Sequence, residues 1–113
     1  MKTDLLNWLE DWYQSNFDGD WEHGFGVAIE SLDNPGWSIN VDLGFDFDYP
    51  ENLDWNLIEF GEDCWVGYKI ENYVFNCSTQ GGTLALILFV FKMMIENKKI
   101  REEEIQLFFK STK

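Results

Sequence analysis

The sequence predicts an α+β domain: an antiparallel β-sheet with an amphipathic N-terminal helix and a buried C-terminal helix packed on it. Three observations carry the prediction. Leu5, Leu6, Trp8, Leu9, Trp12 and Tyr13 recur at spacings of three and four, as one side of a helix requires. Trp37, Ile39, Val41 and Leu43 alternate with Ser38, Asn40 and Asp42, the period of a strand with two unlike faces. Residues 84–97 are apolar almost all the way round a helix, which calls for burial between a sheet and another element. Strands that follow one another between flanking helices fit an α+β layer better than alternating βαβ units. At 113 residues and 45% apolar the chain has material for one core, so residues 1–113 are expected to form one domain.

In chain order, Thr3 is the expected N-cap of the first helix, which should end near Asn16. Asp18-Gly19-Asp20 reads as a turn. Beyond it, Phe25, Val27 and Ile29 alternate with Gly24, Gly26, Ala28 and Glu30 as a strand. Asp33-Asn34-Pro35-Gly36 is the strongest turn signal: proline presets one dihedral, and glycine is expected to take the positive φ of a type II turn, closing a hairpin. The second strand is expected to extend toward Phe45 and Phe47, with Asp46 and Asp48 between. A loop follows over Tyr49–Asn56, overlapping the start of a third strand at Trp55–Phe60. Gly61-Glu62-Asp63 then turns the chain into a strand over Cys64–Glu71, which Asn72–Cys77 extends or follows as a separate strand. After a Ser78–Gly82 loop, Thr83 is positioned to cap the apolar helix to about Asn97, and Arg101–Phe109 is expected to be a short helix.

Charge bounds the function. The net charge is −13, and it is unevenly spread: residues 1–91 hold 17 acids and two bases, Lys2 and Lys69, whereas residues 92–113 hold six bases and four glutamates. Such a field repels nucleic acid phosphates and anionic lipid and attracts basic proteins. The longest apolar run, Leu84–Phe91, is far short of the ~20 residues that cross a bilayer. The first residues lack the apolar core of a secretory signal, so a cytoplasmic protein with free thiols is expected, with no membrane or direct nucleic acid partner.

Few arrangements could support catalysis. Asp18, Asp20, Glu22 and His23 gather three carboxylates and the only histidine into one turn, but calcium needs donors over about twelve residues and zinc more imidazole or thiolate. No metal and no cofactor are expected. Cys77, separated from Thr83 by five residues, has the outline of the anion loops of phosphatases and rhodanese-type sulfurtransferases. The closing arginine of the phosphatase loop is absent, and the acidic field would raise the thiol pKa. A sulfurtransferase using Cys77 therefore stands as a minor alternative, and the expectation is a binding protein rather than an enzyme. Six tryptophans and four tyrosines supply interface anchors beside acidic loops, at Trp21, Trp37, Trp55 and Trp65, against core packing as the competing role for each.

Trp8-Leu9-Glu10-Asp11-Trp12-Tyr13, Asp18-Gly19-Asp20-Trp21-Glu22-His23 and Leu32-Asp33-Asn34-Pro35-Gly36-Trp37, in that order, resemble the bacterial immunity protein 53 family, with a weaker likeness through Asp63-Cys64-Trp65 and the apolar helix. The resemblance implies a small cytoplasmic protein of a polymorphic toxin system. Such a protein binds the catalytic domain of a cognate toxin and protects the producing cell by steric occlusion and charge neutralisation. An acidic inhibitor suits a basic toxin, and a nuclease is the leading expectation. The alternative is an acidic nucleic-acid mimic that regulates basic proteins. The positions expected to meet the partner, read from the residues themselves, are Asp18, Asp20, Trp21, Glu22 and His23 in the turn, Asp33, Asn34 and Trp37 in the hairpin, and Asp46 and Asp48 beyond it.

Overall fold

A computed structural model describes residues 2–19, 21–24, 26–44 and 52–111. Its elements run α1 (Lys2–Ser15), α2 (Trp21–Gly24), β1 (Gly26–Leu32), β2 (Gly36–Asp42), β3 (Leu53–Gly61), β4 (Cys64–Glu71), β5 (Val74–Gln80), α3 (Leu84–Asn97) and α4 (Glu102–Ser111). The five strands form one antiparallel sheet in the order β1-β2-β5-β4-β3. The predicted α+β class and the flanking helices are therefore present, with differences in detail.

Helix α1 begins at Lys2, so Thr3 lies inside its first turn and is not the N-cap. Leu5 and Leu9 are buried and Trp8 and Trp12 pack partly against the core, whereas Leu6 faces outward. A four-residue helical turn, α2, stands where the strand was expected to begin, capped by Asp18, whose Oδ1 accepts from the Trp21 N–H at 2.8 Å. Strand β3 starts at Leu53, inside the expected loop. The expected continuation of β2 through Phe45 and Phe47 lies outside the described residues.

The hairpin connection is tighter than predicted. Leu32 pairs with Gly36, leaving Asp33–Pro35 as the turn, and Gly36 is the first residue of β2. Gly36 has no positive φ, so the type II role assigned to it is wrong. It is needed for space: a Cβ there would run into the carbonyl of Thr79 on β5. The turn is tied to the same place by the Gly81 N–H, which donates to the Pro35 carbonyl at 3.0 Å. At the other end of β5, Asn72 and Tyr73 both take positive φ (52° and 66°) and close a two-residue hairpin between β4 and β5. Strand β5 runs on to Gln80, shortening the expected loop to Gly81, Gly82 and Thr83.

Thr83 caps α3 as expected, accepting from the Leu86 N–H at 3.1 Å. The helix lies over β2 and β5, flanked by α1 on one side and α4 on the other. Phe91 sits at the centre of this layer: its ring meets Trp12 at 4.9 Å, Trp8 at 5.7 Å and Phe75 of β5 at 5.2 Å. Helix α4 is clamped by two ring stacks, Phe108 on Phe89 and Phe109 on Phe60 of β3. No helix among the described residues is long and apolar enough to cross a membrane.

Candidate functional site

All three longer helices cover the same face of the sheet, and strand alternation shows what that leaves. In β5, Phe75, Cys77 and Thr79 are buried under the helices while Val74, Asn76, Ser78 and Gln80 are half-exposed on the other face. The register brings Ser38 beside Ser78, Asn40 beside Asn76, and Trp65 beside Gln80 on this open face. Each pair is hydrogen-bonded: Ser78 donates to Ser38 at 3.0 Å, Asn76 Nδ2 to Asn40 Oδ1 at 2.6 Å, and Trp65 Nε1 to Gln80 Oε1 at 3.0 Å. The middle of the face is thus polar, uncharged and internally satisfied.

Toward β3 the face becomes aromatic. The Trp55 ring lies across Gly67, filling the space a Cβ would occupy, and meets Trp65 edge-on at 6.2 Å. Trp55 and Leu57 remain 46% and 45% exposed, a high value for side chains of that size in a strand. Carboxylates stand at both edges of the face. Glu59 lies opposite Trp65 on β3, and Glu30 stands on β1 opposite Ser38. Two acidic turns, Asp33-Asn34 and Glu62-Asp63, occupy the end of the sheet where Gly81 meets both the Pro35 and Asp63 carbonyls. None of the basic residues lies in the strands or turns at that end. Lys69, the one base in the described strands, is nearer the other end and pairs with Glu71 at 3.5 Å.

The positions expected from sequence to meet a partner do not form one patch. Asp18, Trp21 and His23 lie at the end of the sheet marked by Leu43 and Tyr73, because the Trp21 indole N–H donates to the Leu43 carbonyl at 3.1 Å and the Leu43 N–H to the Tyr73 carbonyl. Asp33 and Asn34 lie at the opposite end of the hairpin, seven residues or roughly 20 Å away. Trp21 is buried against Trp12 and Tyr13, and Trp37 faces the helices and packs on the core, so both rings support the fold from within. His23 is exposed. Asp20, Asp46, Asp48 and the side chain of Glu22 lie outside the described residues. Among the described residues no three histidine, cysteine, aspartate or glutamate side chains converge as metal ligands. Trp55 and Trp65, two of four tryptophans marked as possible anchors, are the ones the tertiary structure leaves on a solvated face.

The comparison with known families is decisive: the family model described as immunity protein 53 matches residues 6–96 of the 113. The chain belongs to the immunity protein 53 family. No curated protein and no solved structure matches it significantly. For an immunity protein 53 member, the cysteine loop is then the feature left to explain. Cys77 is fully buried on the helix-covered face, and burial pushes its thiol far above the usual value. The nucleophilic thiolate that sulfur transfer requires is therefore disfavoured at this position. In a Cys64→Ser variant, the remaining Cys77 thiol is expected to ignore Ellman's reagent at neutral pH until urea unfolds the chain. Rapid labelling of the folded variant would restore the sulfurtransferase alternative.

Proposed function

We propose that the chain binds a cognate toxin domain of basic character and neutralises it by covering its active site, with a nuclease as the leading class of toxin. The observation that supports this most is the charge of the family-matched segment. Residues 6–96 carry 17 acidic side chains and two basic ones, Lys69 and Lys92. Both bases are already engaged by neighbouring glutamates, Glu71 and Glu96. The surface consequently faces solvent with a negative field of one sign, far above the magnitude of ~2 to 8 that solubility asks for. A groove that holds phosphates must be basic, and an acidic protein is its electrostatic complement.

The test is co-purification from the native host, followed by expression of any recovered partner with and without this chain. One stoichiometric basic partner is expected, toxic alone and silenced by co-expression. Its association rate is expected to fall by roughly tenfold or more as salt is raised, because steering acts over about a Debye length. A salt-insensitive complex would remove the charge argument. Many basic partners released together by salt would favour a general nucleic-acid mimic.

A further inference from the structure

We propose that the open sheet face, around the Trp55 ring over Gly67, is where an arginine-bearing segment of the toxin docks, with Trp55 as its anchor. The inference rests on the immunity reading for the identity of the partner, but its chemistry comes from the face itself. From Glu30 on β1 to Glu59 on β3 the face spans four strand spacings, about 19 Å, enough to seat a helix or an extended segment. Both edges carry a carboxylate, and the centre offers side chains that already satisfy one another. Little affinity is available there from new hydrogen bonds. It must come from charge at the edges and from the apolar step formed by Trp55, Leu57 and Trp65.

Guanidinium groups match that combination. They are weakly hydrated, stack on indole faces and fork onto carboxylates, whereas an ammonium is a strongly hydrated point charge. Gly67 makes the anchor possible, since any side chain there would lift the Trp55 ring off the sheet. Trp65 steadies it from the side, itself held by Gln80. Toward the opposite end the face has Asp42 and Glu71, the latter paired with Lys69. The Trp55 backbone stands on β3 between the partners of Ile70 and Tyr68, beside Lys69, and its ring reaches back over Gly67 toward Trp65 and Glu59. Acid alone does not single out this part of the face; the Glu59 carboxylate on the same strand as an exposed indole does.

The experiment is a titration of the isotopically labelled full chain with decaarginine and, separately, decalysine, followed by NMR of the tryptophan indole N–H signals. Decaarginine is expected to shift the Trp55 and Trp65 signals and leave Trp8, Trp12, Trp21 and Trp37 in place, and to bind several-fold more tightly than decalysine. Trp55→Ala is expected to weaken decaarginine binding roughly tenfold. Should that variant disturb the sheet, the pair Glu30→Lys and Glu59→Lys is expected to produce the same loss with Trp55 in place. Shifts centred on His23 and Tyr73, shifts spread evenly over the acidic surface, or equal affinity for the two peptides would overturn the proposal. Because the peptides stand in for the toxin, such a result leaves the immunity reading untouched. That reading falls on its own test, if the co-purified partner is not silenced.

Discussion

Gly36→Ala is expected to destabilise the protein by about 3 kcal/mol or more, although it adds a single methyl group to a strand. Overpacking a well-filled site typically costs ~1–3 kcal/mol because side chains can move aside. Here the obstacle is the Thr79 carbonyl, with its carbon 2.9 Å from the added Cβ, and backbone on a strand paired on both sides cannot turn away. Relief requires β2 to separate from β5. That separation threatens the seven-residue ladder from Gly36↔Gln80 to Asp42↔Val74, and also the Gly81 N–H bond to the Pro35 carbonyl. Each such hydrogen bond contributes ~1 kcal/mol net. Urea denaturation of Gly36→Ala beside Gly24→Ala makes the comparison clean, because a Cβ at Gly24 would meet nothing within 4 Å. Gly24→Ala should stay within about 1 kcal/mol of the parent. Equal stability of the two variants would mean that β2 and β5 do not approach as described.

Phe91→Ala is expected to cost about 3–5 kcal/mol, the range for deleting a buried phenylalanine ring. The ring is fully buried and touches three elements at once, Trp8 and Trp12 of α1, its own helix, and Phe75 of β5. Its loss leaves a cavity that rigid indoles on one side and a sheet on the other cannot close. Against a total stability on the order of 5–15 kcal/mol, this removes a large fraction. A fall in Tm of roughly 15 °C or more should follow. Leu107→Ala on α4, where the side chain is 65% exposed, should change stability by less than about 0.5 kcal/mol. If the two variants melt together, the aromatic centre of the helical layer is not what joins α1 to the sheet.

Aromatic residues show where sequence reasoning reached its limit. Six tryptophans exceed what a small core needs, and the excess pointed correctly toward anchors. Choosing among them from sequence favoured Trp21 and Trp37, which adjoin acidic turns. Trp21 is instead drawn inward by the Leu43 carbonyl and the rings of Trp12 and Tyr13, contacts up to 22 residues away in sequence. Trp37 follows the apolar alternation of its own strand into the helical layer, where Ile39 and Val41 also point. A signal for Trp55 was present in the alternation of Trp55, Leu57 and Glu59 against Asn56, Ile58 and Phe60. Both sets contain apolar residues, so the period alone could not say which one faces the core.

What the sequence determined by itself was local or additive. The period of α1 and of β2, the cap at Thr83 and the breadth of the apolar α3 depend on neighbours a few residues away, and the acidic field depends only on counting charges. Tertiary structure alone decided which face of the sheet stays open, because that depends on where α1, α3 and α4 all land. It likewise decided that Gly36 serves close packing instead of a turn, and that Asp18 and Asp33 stand at opposite ends of one hairpin. Each of these is a meeting of segments far apart in the chain, and short-range propensity holds no record of such meetings.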